Sequence, residues 1–348
     1  MGLFLDKLKF KIHSFFKPVK KSNDKISLST NSKVLILCFD DIEYALASTV
    51  LIKILKEKTG CEIDIFTVRG NDLIYKNNDK VNNLFLFSNT SQLDEHLTAK
   101  NYDVLIDTHF DDIAEIISIV SHIKSKYKIA FNKKDNELYT HIIERNKNLH
   151  IIDELLLLTN VFSFTFSKNE IDIEYKAELS ARQFIVNFII QNKLDTTKPM
   201  IGINISSESD DFWGADRFKK LIKYLSNYDV NVIILRHPID KEKAEEVTRS
   251  NSAIFNNNTY SEYSAMICEL DFLFTPNCSA VQIASAKRIP TFILFVKREA
   301  AERWCPYNSN YDCVITEKDN FERLSYGNVL NSFIPFFESF IKQQEEEN

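Results

Sequence analysis

Glycine is scarce in this chain, with six among 348 residues: Gly2, Gly60, Gly70, Gly202, Gly214 and Gly327. None falls into a GxGxxG pattern or into GxxxxGK followed by Ser or Thr, which excludes the dinucleotide fingerprint and the P-loop. The six cysteines, Cys38, Cys61, Cys268, Cys278, Cys305 and Cys313, form no CxxC pair and no Cys/His ligand spacing, and no cleavable signal pattern precedes them. This argues for reduced thiols in the cytoplasm and against a metal site. No apolar run reaches the roughly 18 residues that would suggest a membrane span. An excess of positive charge is missing too: the net charge is -6 with Lys and acids intermixed, so nucleic acid is not an expected partner.

What is present is a globular composition, 44% hydrophobic and 26% charged, at a length that fits two domains of roughly 150 residues each. The first 21 residues, MGLFLDKLKFKIHSFFKPVKK, set Phe4, Leu5, Leu8, Ile12, Phe15 and Phe16 near one helical face among six lysines. Two readings stand: a basic amphipathic helix lying on an anionic membrane surface, or a segment packed on the protein itself or disordered. Residues 1–30 are thus a leader and linker.

From Lys33 the pattern alternates short apolar strands with longer periodic helices. KVLILCF, EIDIFTV, NLFLFS, DVLIDTHF and KIAF read as strands of a first parallel sheet, and KPMIGINIS, NVIILRHP, DFLFTP and TFILFV as strands of a second. The fold class expected is α/β, with two Rossmann-like doubly wound domains facing a cleft. The boundaries are 31–165 for the first domain, 166–198 for an interdomain segment and 199–320 for the second. Residues 321–348 read as a C-terminal helix packing back on the first domain. Ligands of open parallel sheets bind outside the carboxyl ends of the strands. In this sequence Asp40, Asp41 and Glu43 follow the first strand directly.

The order of segments resembles the ADP-heptose:lipopolysaccharide heptosyltransferases, glycosyltransferase family nine. STVLIKILKEK, YDVLIDTHF and NLHIIDELLLL are similar to the family's opening helix, its YDLVIDLQG strand and its HxVDRYLxLL segment. KPMIGINIS with FWGADRFKKLIKYL, then SEYSAMICELDFLFTPNCSAVQIASAKRIPTFILF and RWCPY, match the second-half motifs. The resemblance runs from about Lys33 to the low 320s. It implies a GT-B fold, no required metal or cofactor, and transfer of a sugar from a nucleotide-sugar donor, an ADP-sugar, to a lipopolysaccharide or other glycan acceptor. It also implies work at the cytoplasmic face of a bacterial inner membrane.

Such a transfer needs a base for the acceptor hydroxyl and dipoles or cations for the departing diphosphate. The family's aspartate base aligns with Tyr44, a phenol and a poor base near neutral pH. The competent neighbours are Glu43, Asp40 and Asp41, with helix capping as the alternative for the aspartates. In the donor loop Asn277 stands for Asp, Cys278 for Ser, Ser279 for Gly and Gln282 for His. Asn204, Ser206 and Trp213 match further donor-side positions, and the basic residue before the tryptophan has become Asp211 or Phe212. Arg236, His237 or Arg303 are the candidate replacements, with Arg303 equally read as a structural residue between domains. His109 stands where the family has Gln and is placed at the acceptor. Asp111 and Glu115 are spaced for one helical face. The other function class is a catalytically silent relative that binds a nucleotide, glycan or protein; a sugar-nucleotide epimerase has no motif to support it.

Overall fold

In the computed structural model, residues 22, 24–87, 95–111, 113–133, 136–206 and 212–347 are described. The amphipathic reading of residues 1–21 and the side chain of Asp211 lie outside them. The chain divides into two compact units between Glu174 and Tyr175, inside the segment 166–198.

The first unit carries six parallel strands: β1 (Lys33–Cys38), β2 (Glu62–Val68), β3 (Asn83–Phe87), β4 (Asn101–Asp107), β5 (Lys124–Phe131) and β6 (His141–Ile143). Their order is β3-β2-β1-β4-β5-β6. Val34 to Cys38 are buried without a break, as a central parallel strand covered on both faces requires. β1 pairs with β2 on one side and β4 on the other, so the winding direction reverses between β1 and β4. The ends of these two strands therefore flank a topological switch point.

The helix that follows β1, Ile42–Thr59, starts because Asp41 caps it, its Oδ1 accepting the Tyr44 N–H at 2.9 Å. It stops at Gly60, whose φ of 68° closes the last turn with an N–H donated to the Lys56 carbonyl at 2.8 Å.

The second unit repeats the plan with β7 (Met200–Asn204), β8 (Asn231–Leu235), β9 (Ser252–Ile254), β10 (Phe272–Pro276), β11 (Thr291–Val296) and β12 (Tyr311–Thr316). The order β9-β8-β7-β10-β11-β12 is the same, with the reversal between β7 and β10.

Three strands go beyond the sequence reading: β6, β9 and β12. All are edge strands, and two have only three residues, too few for a period to register. The C-terminal helix Tyr326–Glu347, expected to return to the first unit, buries Val329, Phe333, Phe337 and Phe340 in the second unit's core. Its ring contacts are with Phe272, Phe274 and Phe292 of the second sheet, which already use this apolar face. Among the described residues no helix is long and apolar enough to cross a membrane.

Candidate functional site

At the switch point of the first unit the chain leaves β1 through Phe39 and Asp40 and leaves β4 through Asp107, Thr108 and His109. Asp107 is fully buried and accepts from four donors. These are the His109 backbone N–H (3.0 Å), His109 Nδ1–H (2.9 Å), the Tyr139 hydroxyl (2.6 Å) and Lys133 Nζ (3.2 Å). Burial would push this carboxyl up, but the hydrogen bond and charge of His109, the Lys133 ammonium and the Tyr139 hydroxyl outweigh it and hold Asp107 below the ordinary carboxylate range. Lys133, itself buried, also donates to the Asp111 carbonyl at 2.8 Å.

His109 is 1% exposed, and its hydrogen bonds define its tautomer. Nε2 accepts the Phe39 N–H at 3.0 Å, so Nδ1 carries the proton that Asp107 receives. Asp40 sits beside the same ring, its Oδ2 3.7 Å from Nε2 and without a hydrogen bond, while Asn71 Nδ2 holds its backbone carbonyl at 2.6 Å. The Asp40 carboxyl is pushed up chiefly by burial; His109 and Lys133 oppose that shift and Asp41 and Asp107 reinforce it.

The other acids at this loop have different placements. Asp41 is spent on its cap, and Glu43 lies half-buried in the first helical turn. Tyr44, at the position of the family's aspartate, is buried, donates its hydroxyl to the Thr108 carbonyl at 2.7 Å, and has its phenol pushed well above the usual range by burial. It is a strut between the first helix and the end of β4 rather than a proton acceptor. Asp111 precedes the helix Ala114–His122, so the helical pairing with Glu115 does not form.

The second unit's switch point gathers another polar group. Asn204, at the end of β7, donates its Nδ2 to the Ser206 carbonyl (2.9 Å), Thr275 Oγ1 (2.9 Å) and Cys278 Sγ (3.3 Å), tying β7 to the end of β10. Ser206 donates its hydroxyl to Asp240 Oδ2 at 2.6 Å and accepts the His237 N–H at 2.7 Å, and Lys243 Nζ lies 2.7 Å from Asp240 Oδ1. Asn277 follows β10 with its N–H on the Leu294 carbonyl at 2.9 Å. The helix Ser279–Ala286 then begins at Cys278, whose side chain makes no capping bond. On this helix Gln282 donates to the Trp304 carbonyl at 2.9 Å, and its buried Oε1 has no hydrogen-bond partner.

Asn204, Ser206 and Cys278 therefore come together, with Asn277, Ser279 and Gln282 on the adjoining turn and helix. Arg236 is 5% exposed and points its guanidinium at the His237 carbonyl and at Asn256 Oδ1, both at 3.2 Å. His237 contributes its backbone, and its side chain is exposed. Trp213, expected to bind substrate, is fully buried in the core with its indole N–H on the Leu324 carbonyl at 2.9 Å; a strand-to-helix tryptophan met a hydrophobic layer there. Arg303 lies half-buried on the helix Arg298–Trp304, its guanidinium 5.9 Å from the Trp304 ring.

Sequence reasoning missed Asp107, Lys133, Tyr139, Asp240 and Lys243. Asp107 had a signal, an acid closing an apolar strand. Lys133 and Tyr139 had none, because they reach Asp107 from after β5.

The model of glycosyltransferase family 9 (heptosyltransferase) matches residues 90–333. The chain belongs to this family. Three solved structures share the fold of this chain. A family 9 glycosyltransferase from Veillonella parvula DSM 2008 superposes with a TM-score of 0.79 at 14% identity, over 91% of this chain and 100% of that one. The E. coli ADP-heptose LPS heptosyltransferase II gives 0.72 at 13% over 90% and 99%. The E. coli heptosyltransferase WaaC with ADP gives 0.68 at 14% over 90% and 99%. No curated protein matches the chain in sequence. Both sheets of this family 9 member thus follow the GT-B plan.

Proposed function

We propose that this family 9 protein transfers a sugar from an ADP-sugar, of the heptose type, to a hydroxyl of a lipopolysaccharide or other glycan acceptor, with Asp40 as general base. The observation that carries the reading is the Asp40 carboxylate at the β1–β4 switch point. Its side chain is 34% exposed, its Oδ2 is buried beside His109 without a hydrogen-bond donor, and burial raises its proton affinity. A general base needs a free lone pair and a pKa lifted toward working pH. Asp41 has given its oxygen to a helix cap, and Tyr44 has given its proton to a carbonyl.

In this reading the first unit holds the acceptor and the second the donor. Asp40 removes the proton as the acceptor oxygen attacks the anomeric carbon, and the ADP leaves with the electron pair of the broken C–O bond. The first-turn N–H groups of the helix Ser279–Ala286 supply dipoles for that charge. Asn204, Ser206, Asn277, Cys278, Ser279 and Gln282 surround the diphosphate side, with Arg303 as the nearby cation, and the transfer uses no metal. The basic leader, residues 1–21, holds the protein at the anionic cytoplasmic face where glycolipid acceptors are displayed.

A titration with ADP and an assay of ADP release from ADP-heptose test the reading. ADP binding is expected, with Asp40→Asn lowering kcat by about 10²–10⁴-fold and Glu43→Gln by no more than severalfold. Loss of activity in Glu43→Gln instead would move the base to Glu43. ADP binding without turnover would favour the silent relative, the reading that the buried Tyr44 supports, and absence of ADP binding would end the transferase reading.

A further inference from the structure

The first unit contains more acid–base machinery than one carboxylate requires. Asp40 Oδ2 and His109 Nε2 face each other at 3.7 Å, both nearly sealed from solvent. The far nitrogen of the ring is anchored on Asp107, which is itself fixed by Lys133 and Tyr139. A histidine that served only to fill space would not need a buried, doubly braced carboxylate behind it. The orientation is specific as well: Nδ1–H points at Asp107, leaving the Nε2 lone pair on the side of Asp40, where the Phe39 N–H now rests against it at 3.0 Å.

Resting on the reading of Asp40 as base, we propose that Asp40 and His109 act as one proton-accepting pair, in which Asp40 Oδ2 and His109 Nε2 share the proton taken from the acceptor hydroxyl. The acceptor O–H bond breaks, the Phe39 N–H releases Nε2 as one proton enters the pair, the acceptor oxygen bonds the anomeric carbon while its bond to the ADP oxygen breaks, and the proton returns to water after the products leave. His109 holds part of that proton through Nε2 but touches neither the acceptor oxygen nor the anomeric carbon. The charged groups beside the ring are Asp40 from the end of β1, 3.7 Å from Nε2, and Asp107 from β4, 2.9 Å from Nδ1; Lys133 and Tyr139 from beyond β5 act through Asp107. The carboxylates of Asp40 and Asp107 lie on either side of the ring, and Lys133 offsets part of the Asp107 charge.

The pair is tested with His109→Gln, which keeps an oxygen to accept the Phe39 N–H and an N–H to donate to Asp107 but cannot bind a proton. Two readouts move in opposite directions. In pH profiles of ADP release from ADP-heptose, the variant has lost one of the two places where an inactivating proton sits. Its acid limb of kcat/KM is expected about one pH unit or more lower, with kcat at neutral pH down at least about tenfold. In NMR titrations of the Asp40 side-chain carboxyl carbon, which need no turnover, the midpoint is expected to rise by about half a pH unit or more, because the opposing imidazolium charge is gone. An unmoved carboxyl midpoint overturns the pair whatever the kinetics, as does an unmoved acid limb in an active enzyme. A wild-type protein that releases no ADP would overturn the transferase reading instead, and the carbon signal would still decide whether Asp40 and His109 are coupled.

Discussion

Asp107 shows what a single carboxylate can organise when it is surrounded by donors. It accepts from His109 twice, from Tyr139 and from Lys133, and a buried ion pair of this kind is costly to break from one side. Replacing Asp107 with Asn would leave the Lys133 ammonium buried and unpaired, at about 3–5 kcal/mol. The pH dependence has a definite sign. The folded-state pKa is depressed, so the carboxylate's contribution is complete above the unfolded value of about 3.9 and is lost as pH falls through the folded one. Urea midpoints of wild type and Asp107→Asn should therefore be far apart at pH 7 and converge below about pH 4. A gap that persists into strong acid would mean that packing, not charge, explains the cost. Asp40 has the opposite sign: its raised pKa makes the charged form a liability to folding, which is the usual condition of an acid retained for chemistry.

Among the elements, the helix Ile42–Thr59 carries the site because its two ends are settled by different residue types. Asp41 begins it, and Gly60 ends it in a conformation that side chains resist. A Cβ at residue 60 would also stand 2.8 Å from Thr30 Cγ2. Gly60→Ala should cost about 1–2 kcal/mol in chemical denaturation while leaving ADP binding intact, since the change lies at the end of the helix remote from Asp40. Equal stability would show that this turn relaxes freely. The capping acid, the apolar run of β1 and the glycine stop were all legible in the sequence, because each is a local signal a few residues long. The pairing of Asp107 with Lys133 and Tyr139 was not, since those residues lie 26 and 32 positions apart in the chain and meet only through parallel strand order. Edge strands escaped for a related reason: β6, β9 and β12 owe their existence to a neighbour's unpaired edge more than to their own composition.

For the whole molecule, the same strand order in both units places a polar group at each switch point, and the two groups differ in kind. The first is built on Asp40, the buried Asp107 and a histidine; the second on amides, hydroxyls, the Asp240–Lys243 pair and a helix start. That division is the basis for the roles proposed above, proton removal in the first unit and diphosphate binding in the second. The doubly wound plan was readable from alternating periods, whereas the position of the C-terminal helix was not, because an apolar stripe states that it must be covered without stating by what. The proposed membrane attachment also belongs to this scale. Deleting residues 1–21 should abolish sedimentation with vesicles containing phosphatidylserine while leaving ADP binding unchanged, and binding that survives the deletion would remove the leader from that role.

The stacked phenylalanines of the C-terminal helix have a consequence for synthesis. Phe333 lies against Phe272, Phe274 and Phe292, so the second unit's sheet is not sealed until residues beyond 333 have emerged from the ribosome. The first unit has all its strands available more than a hundred residues earlier. The nascent chain therefore presents a finished half and an aromatic-lined, unsealed half for as long as that stretch takes to make. Apolar surface left open in this way is the kind that aggregates unless it is covered.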